Sequence, residues 1–329
     1  MTMNQPLRIE LPTPYAVGTV NCYLFTSPDP VLIDTGVRSD ESRAALVAAL
    51  ARQGLASADL QRIIITHPHE DHCGLAGWLA DHSQATVWIW EEGVDWLLHF
   101  PERLAERVAY YRDIFLPGTA MPVAMQTAVL TYFEQLKASY GPVPADRIRT
   151  FSLADTLCFG GLHWQILHMP GHAHHQTCFY QPDSRQLISA DMLLHRAPTP
   201  VVENPPPGLP RQPGLPLFMQ SLDVLEGLAI DSVYPGHGPI FHDPAEKIAQ
   251  QRKRIERRKQ HCLQALAEGH QTLVELTDHL YAQRAPALRF AGLWMIVGYL
   301  DLLQTEGRAQ ETEIDGVWHY VLTNNHPTS

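Results

Sequence analysis

The feature that most constrains the fold of this chain is a dense group of histidine and acidic residues at the end of an apolar run. The three isoleucines at 63–65 are typical of a buried strand, and the segment THPHEDH follows them directly. Alternate residues of an extended chain point to the same side, so His67, His69 and Asp71 are expected to leave the strand together. A tight turn would then bring in His72. So many imidazole and carboxylate groups in one short segment indicate a metal site.

Three further candidate ligands lie downstream, and each follows a predicted strand. They are His172 in MPGHAHH, Asp191 in LISADML and His237 in YPGHGP. The glycines beside these histidines permit tight turns and a close backbone approach. The five histidines and two aspartates could hold two first-row cations that share one carboxylate, whereas a single cation would leave several groups unused. The HExxH motif of zinc proteases is excluded, because the cluster lacks its pair of histidines four residues apart.

The surrounding sequence predicts an α/β fold. Short apolar runs such as NCYLF, PVLIDTG, QRIIIT and ATVWIWEE are typical of strands, while ESRAALVAALARQG and GLAGWLADHS have helical spacing. A segment at about 96–144 breaks this alternation with two helical patterns and is interpreted as a helical insertion. Strands resume in RIRTFS, LHWQILHMPG, TCFYQP and QLISAD. The proline-rich stretch 196–216 is predicted to be a loop, followed by a helix in PLFMQSLDVLEGL and a strand in DSVYPGHG.

The C-terminal part has a different pattern. A helix is predicted from about residue 244, two more at 272–283 and 288–306, and then a hairpin whose turn is Asp315–Gly316. Helices followed by a hairpin suggest a winged helix. The chain is therefore divided into a catalytic domain at 1–243 and a small winged-helix-like domain at 244–329.

Composition limits the function classes. With 329 residues, of which 45% are hydrophobic, the chain can bury one large core or a large and a small one. No apolar stretch is long enough for a bilayer and the N-terminus does not have the pattern of a signal peptide, so a cytoplasmic protein without a membrane partner is expected. Five scattered cysteines without a CxxC pair argue against a disulfide framework. The net charge of −11 opposes general attraction to nucleic acid.

The order THPHEDH, PGH, SAD and PGHG, preceded by IDTG at 33–36, resembles the metallo-β-lactamase superfamily over about residues 7–243. The resemblance implies an αββα sandwich, with two mixed sheets face to face, helices outside and metals at one edge. It further implies one metal on His67, His69 and His172, a second on Asp71, His72 and His237, and Asp191 bridging the two. Asp34 of IDTG would orient a histidine ligand, with a turn-capping role as the alternative.

The same motifs separate branches of that family. Class B β-lactamases commonly have a cysteine where Asp191 stands, which argues against antibiotic hydrolysis. Flavodiiron proteins usually have glutamate at the position of His69, and no flavin-binding domain follows here. The C-terminal pattern and GHGPIFHDPAEKI resemble the β-lactamase-like protein 2 group, which includes an endoribonuclease. Related bacterial chains are often called hydroxyacylglutathione-hydrolase-like, and related fungal chains release polyketides from carrier thioesters. The next helix, QRKRIERRKQHC, departs from the usual HRxxRE of that group, which puts a precise transfer of substrate in doubt.

These observations predict a metal-dependent hydrolase with two divalent ions, zinc first and manganese or iron as alternatives. The ions would lower the pKa of a bridging water, giving a hydroxide near the catalytic carboxylates Asp71 and Asp191. A small-molecule acyl ester or thioester is the favoured substrate, because an acidic chain repels a polyanion. Single-stranded RNA, bound through the basic helix at 246–262, is the alternative, although such a charge run is usually a solvated helix with a few salt bridges. A mononuclear iron persulfide dioxygenase is a third. A homodimer is also considered.

Several nearby residues receive weaker predictions. His195, close to Asp191, is the candidate for a substrate contact. His168, His174 and His175 are expected to make hydrogen bonds or to pack, since the ligand scheme does not need them. Cys73 is predicted to be a small buried residue at the start of a helix rather than a ligand.

Overall fold

The computed structural model describes residues 5–195, 205, 209–242, 244–284 and 286–323. Two mixed β-sheets pack face to face with helices on their outer sides, which confirms the predicted αββα sandwich. The first sheet has its strands in sequence order: β1 (Leu7–Leu11), β2 (Val20–Phe25), β3 (Val31–Ile33), β4 (Arg62–Ile64), β5 (Thr86–Trp90) and β6 (Ile148–Phe151). Strands β1 to β3 are antiparallel neighbours, and β3 to β6 are parallel.

The second sheet has the order β11-β10-β9-β8-β7. Its strands are β7 (Thr156–Phe159), β8 (Leu162–His168), β9 (Thr177–Gln181), β10 (Gln186–Ala190) and β11 (Ser232–Pro235). Strands β10 and β11 are parallel neighbours, and the other neighbours in this sheet are antiparallel. Strand β7 is not among the predicted strands, because it is four residues long and its stability comes from pairing with β8 across the turn at Gly160–Gly161.

Alternation along the strands divides the core into two layers. Tyr23, Ile33 and Ile64 point between the sheets, where they meet aromatic residues such as Trp164 of β8. Their neighbours along the strands point to the helical layer instead. The central strands β2, β3, β9 and β10 are therefore buried on both faces, which explains their nearly continuous apolar runs, whereas β7 and β8 near the edge of the second sheet alternate buried and more exposed residues.

The helices of the sandwich are α1 (Asp40–Arg52), α2 (Glu70–Cys73), α3 (Ala76–Asp81) and α8 (Gly214–Glu226). The insertion contains α4 (Val94–Leu98), α5 (Phe100–Tyr110), a π-helical turn (Tyr111–Phe115), α6 (Leu116–Gly118) and α7 (Val123–Leu136), so it begins two residues before the predicted start. The predicted loop at 196–216 lies partly outside the described residues. Its end was predicted wrongly, since α8 already begins at Gly214 and holds Pro216 in its first turn, where proline is tolerated.

The C-terminal elements are α9 (Pro244–Ala267), α10 (Leu273–Tyr281), α11 (Pro286–Thr305) and the hairpin of β12 (Ala309–Ile314) and β13 (Val317–Leu322). Asp315 and Gly316 both have positive φ, as a two-residue hairpin turn requires. The predicted helices and hairpin are thus present, while the winged-helix assignment and the boundary at 243 stay predictions.

The C-terminal elements pack on the insertion. The Trp318 ring lies 5.8 Å from the Phe115 ring. Gly118 faces the same indole so closely that a Cβ there would come within 2.5 Å of it. Any larger residue at Gly118 would push the hairpin away, so this glycine is required for close packing of the two parts. Among the residues described, no helix is long and apolar enough to cross a bilayer.

Candidate metal centre

The candidate ligands converge because they follow strands that end at one edge of the sandwich. Asp34 follows β3 and the THPHEDH segment follows β4, which is parallel to β3. In the second sheet His172, Asp191 and His237 follow β8, β10 and β11, which all run in the same direction. Thr177 ties the two sheets together here, since its amide and its hydroxyl both donate to the carbonyl of Thr66 at 2.9 Å.

The expected extended geometry is wrong for Asp71. Residues Glu70–Cys73 form the short helix α2, with His69 at its N-terminal boundary. Successive residues of a helix point in directions about 100° apart, so Asp71 and His72 reach different sides of the centre without a further turn. Cys73 is buried in the same helix, as predicted for a packing residue.

Three imidazoles form the first group. The Nε2 atoms of His67 and His172 lie 3.1 Å and 3.0 Å from Nδ1 of His69. His67 and His172 are buried, and His69 is half-buried. Burial lowers the pKa of His67 and of His69 well below the ordinary value. The neighbouring imidazoles act in the same direction, with His72 the strongest for His67 and His172 the strongest for His69. Neutral imidazoles that turn their nitrogens to a common point are suited to bind a cation.

The second group consists of Asp71, His72 and His237. Nε2 of His237 lies 3.4 Å from Oδ2 of Asp71, and Nε2 of His72 lies 3.9 Å from Oδ1 of the same carboxylate. Asp191 lies between the two groups. Its carboxylate oxygens are 3.4 Å from Nε2 of each of His72, His172 and His237. One carboxylate therefore contacts a histidine of the first group and two of the second.

The hydrogen bonds made by the Nδ1 atoms of three of these histidines determine which ring nitrogens carry protons. The Thr66 hydroxyl gives its single proton to Oδ2 of Asp34, so it accepts from Nδ1 of His67 at 3.0 Å. His72 donates Nδ1–H to Asp34 at 2.8 Å, and His237 donates Nδ1–H to the carbonyl of Thr19 at 2.8 Å. When these three rings are neutral, as binding of a cation requires, the lone pair of each Nε2 points toward the centre.

Two of those lone pairs face carboxylates, which repel them unless a positive charge lies between. Burial opposes protonation of His237, but Asp191 and Asp71 outweigh it and raise the pKa of His237 to about 10. Burial likewise disfavours ionisation of Asp191, yet His237, His72 and His172 hold the pKa of its carboxyl well below the ordinary value. The ionised carboxylates and the nitrogen lone pairs of the centre therefore stabilise a positive charge placed between them. This set of donor atoms fits divalent cations.

Backbone geometry leaves room for the centre. Gly236, in the PGHG segment, lies so close to Asp191 and His72 that a Cβ there would overlap Oδ1 of Asp191. Only glycine fits between these two side chains without moving them. The glycine of this motif therefore shapes the centre as well as the turn.

Asp34 supports this arrangement, since its carboxylate accepts from the Thr66 amide at 2.9 Å, the Thr66 hydroxyl and His72. Asp34→Asn should keep the backbone, because asparagine tolerates the observed φ of 59°. Its amide group would place a donor against His72 Nδ1–H, and the metal affinity is expected to fall about 10–100-fold. Competition against a chromogenic chelator measures this affinity. Asp40→Asn, which changes an exposed carboxylate in α1, is the matched control and should bind metal like the wild type.

A cavity of about 1080 Å³ opens beside the first group of histidines. His69 forms part of its wall together with His174 and His175, so these two histidines face the cavity in addition to packing. His195, the candidate substrate contact, lies against Phe241 with ring centroids 5.5 Å apart and is not among the described residues of the cavity wall. Much of the remaining wall comes from α4 and α5, from residues 209–211, and from α11 and the hairpin. No local sequence signal marks these wall residues.

Comparisons with known proteins agree with this geometry. A family model described as the metallo-beta-lactamase superfamily matches residues 15–237. The chain is 27% identical over 316 residues to a probable metallo-hydrolase of Bacillus subtilis (strain 168), YqjP, covering 93% of this chain and 94% of the relative. It is 24% identical to a beta-lactamase-like protein 2 homolog of Caenorhabditis elegans, covering 86% and 77%.

Two further similarities concern activity and fold. An atrochrysone carboxyl ACP thioesterase of Aspergillus fumigatus is 24% identical to this chain, with coverage of 82% of this chain and 70% of the relative. The crystal structure of a metallo-beta-lactamase family protein from Thermus thermophilus superposes with a TM-score of 0.81 at 26% identity, covering 98% of this chain and all of that one. The similarity therefore includes the insertion and the C-terminal elements as well as the sandwich.

Proposed function

Because this chain belongs to the metallo-β-lactamase superfamily and is a metal-dependent hydrolase, we propose that it hydrolyses acyl esters or thioesters at a binuclear centre. The observation that carries the proposal is the position of Asp191, 3.4 Å from histidine nitrogens of both groups. One cation would be held by His67, His69 and His172, and the other by Asp71, His72 and His237, with Asp191 shared between them.

Divalent cations bound by these residues, zinc first and manganese or iron as alternatives, would supply Lewis-acid chemistry, lowering the pKa of a bound water and polarising the acyl carbonyl. The protein side chains provide the rest. Asp71 and Asp191 supply the negative charge that keeps the cations in place and can accept a hydrogen bond from the attacking water. The water oxygen adds to the acyl carbon, the bond from carbon to sulfur or oxygen breaks, and the thiol or alcohol leaves with a proton.

The cavity supports an acyl substrate. Its walls combine apolar residues such as Val297 and Ile114 with the aromatic side chains of Trp96 and Trp318, and it begins at His69. Such a pocket can enclose the carbon chain of a small molecule while the carbonyl lies at the metal centre. A thioesterase among the relatives favours the same class of substrate.

The basic helix gives little support to the RNA alternative. Arg252 of α9 pairs with Asp223 and Glu226, and Lys259 pairs with Glu256 and Glu306. Arg258 lies 5.5 Å above the ring of Tyr281. Several of the positive charges therefore serve packing within the protein, which is the usual role of such a run. A cytoplasmic location and a homodimer remain predictions.

The proposal is tested by metal content and substrate. The purified protein is expected to hold close to two metal equivalents per chain by elemental analysis and to cleave thioesters such as S-lactoylglutathione or acyl-CoA. Single-stranded RNA incubated under the same conditions should remain intact. If the protein holds one equivalent of iron and consumes oxygen with persulfide substrates, it is a dioxygenase instead. If it cleaves RNA but hydrolyses no acyl substrate, it is a nuclease.

A further inference from the structure

A further group of metal-ligand side chains lies in the C-terminal part of the chain, outside the metal centre. Glu268, His270 and His279 each offer one ligand atom, and these three atoms lie within 4.8 Å of one another. Nε2 of His279 is 3.6 Å from Oε2 of Glu268, and the rings of His270 and His279 have their centroids 4.4 Å apart. Imidazole and carboxylate groups together are suited to first-row divalent cations.

The three residues belong to the corner between α9 and α10, where the backbone is fixed at both helix ends. Gly269 has a φ of 95°, and its amide donates to the carbonyl of Leu266 at 3.1 Å. The next amide, that of His270, donates to the carbonyl of Ala265 at 3.0 Å. These two bonds form a Schellman motif at the end of α9. Thr272 begins α10 as the N-cap of a capping box, so the path of the corner is defined on both sides.

The corner is also attached to the C-terminal hairpin. The amide of Tyr320 in β13 donates to the carbonyl of Gln271 at 2.8 Å, and Thr272 forms a β-bridge with His319. Leu273 of α10 is fully buried in the core. The backbone that carries the three side chains is therefore ordered by its own packing, and a cation binding there would not have to order it.

One of the three side chains is oriented by a neighbour. Gln264, one helical turn before Glu268, donates from Nε2 to Oε1 of Glu268 at 2.9 Å. The other carboxylate oxygen, Oε2, is the atom that faces His279. A hydrogen bond to the far oxygen of a carboxylate is a common support for a metal ligand. Gln264 is therefore a positioning residue for this group.

The electrostatic surroundings favour a cation. Glu275, the acidic member of the capping box, interacts with His270. The hydrogen bond from the Thr272 amide is the main cause that lowers the pKa of Glu275, and His270 acts in the same direction. Glu275 therefore carries a negative charge near neutral pH, in addition to that of Glu268. A positive charge between the imidazoles and Glu268 is stabilised by both carboxylates.

We propose that Glu268, His270 and His279 bind one divalent first-row cation, with zinc as the test ion, separately from the metal centre. Ligand atoms of one zinc ion lie at most about 4.2 Å apart, so small rotations of these side chains complete the site. The side chains of Glu268 and His279 are 44% and 39% exposed, which leaves room for this movement. The cation fastens the end of α9 to α10 and has no part in the reaction, so the inference does not depend on the proposed function.

Zinc uptake by the zinc-loaded protein tests the site, measured by equilibrium dialysis against a series of buffered zinc concentrations. The wild type is expected to bind one equivalent more than His279→Gln, whatever the metal centre holds. His270→Gln and His279→Gln should each weaken the additional binding at least about 100-fold, and Gln264→Leu about 10-fold. His261→Gln is the matched control, since it removes an exposed imidazole from the same helix α9, and it should bind zinc like the wild type.

Amide hydrogen exchange places the additional cation in the structure. A ligand that binds only the closed corner opposes its local opening, so saturation with zinc should slow exchange in α10 and the last turn of α9 at least about tenfold. His279→Gln should show no such slowing at the same zinc concentration. Far-UV circular dichroism is recorded for every variant, and the exposed position of His279 predicts an unchanged spectrum.

The inference is overturned if the wild type and His279→Gln bind the same number of zinc equivalents. It is also overturned if the additional binding needs millimolar zinc, as scattered surface histidines do, or if His261→Gln weakens it as much as His279→Gln does. Slower exchange in some other part of the chain, with none in α10, would place the additional zinc elsewhere and would equally contradict the site.

Discussion

Asp191→Ala is expected to lower kcat/KM for a thioester by about 10³-fold and to deplete metal from both groups of ligands. The size of the effect follows from its position, because a single carboxylate contacts histidines of both groups at 3.4 Å. Its removal leaves His72 and His237 with only Asp71 as a neighbouring acidic ligand. Elemental analysis of the variant should give well under two equivalents per chain, together with loss of thioester cleavage.

Single-group variants provide the comparison for Asp191→Ala. His67→Ala should weaken one cation site and His237→Ala the other, so each is expected to retain close to one equivalent. Circular dichroism should show that all three variants remain folded, since the core between the sheets does not involve these residues. Equal metal content in Asp191→Ala and the wild type would contradict the bridging role.

Asp301→Ala is expected to lower the free energy of unfolding by about 3 kcal/mol. Asp301 is only 5% exposed and Arg211 only 22%, so the variant would leave a largely buried guanidinium without its counter-charge. Burial raises the pKa of Asp301 even though Arg211 opposes this, which shows that the carboxylate is poorly solvated. Urea unfolding followed by far-UV circular dichroism measures the change.

A double variant tests whether the loss of stability comes from the guanidinium charge of Arg211 left without its counter-charge. Arg211→Met combined with Asp301→Leu replaces both partners by apolar groups, and such replacements of buried ion pairs are often nearly neutral. The double variant should therefore regain most of the lost stability. If it is as unstable as Asp301→Ala, the attraction between the two charges itself stabilises the fold, and the explanation from an uncompensated charge is wrong.

The sandwich and the ligand candidates could be predicted from the sequence because both have local signals. Apolar runs indicate the strands, and His172, Asp191 and His237 each follow one of them within four residues. The extended geometry expected for Asp71 failed, because alternation in a strand carries no sign that Glu70–Cys73 forms a helical turn. That turn depends on packing beneath it, such as the backbone hydrogen bond from Thr35 to His72.

The cavity could not be predicted from the sequence, for a different reason. Arg107 and Trp318 are 211 positions apart and have no motif in common. They meet around one cavity only because the hairpin packs on the insertion. Likewise, the sequence of the basic helix α9 allowed a nucleic-acid surface or a solvated helix with salt bridges, and its ion pairs with α8 require the folded structure.

The close contact between Gly118 and Trp318 implies that reaction chemistry and substrate choice can change independently in this architecture. The candidate ligands lie in loops and in the short helix α2 at the edge of the sandwich, whereas Trp318 belongs to a hairpin that reaches the cavity from a distant part of the chain. A substitution in the hairpin or at Gly118 would alter the volume that the cavity offers to a substrate and leave the ligands in place. Libraries restricted to these two positions and their neighbours are therefore a route to enzymes with new substrate ranges and the same hydrolytic centre.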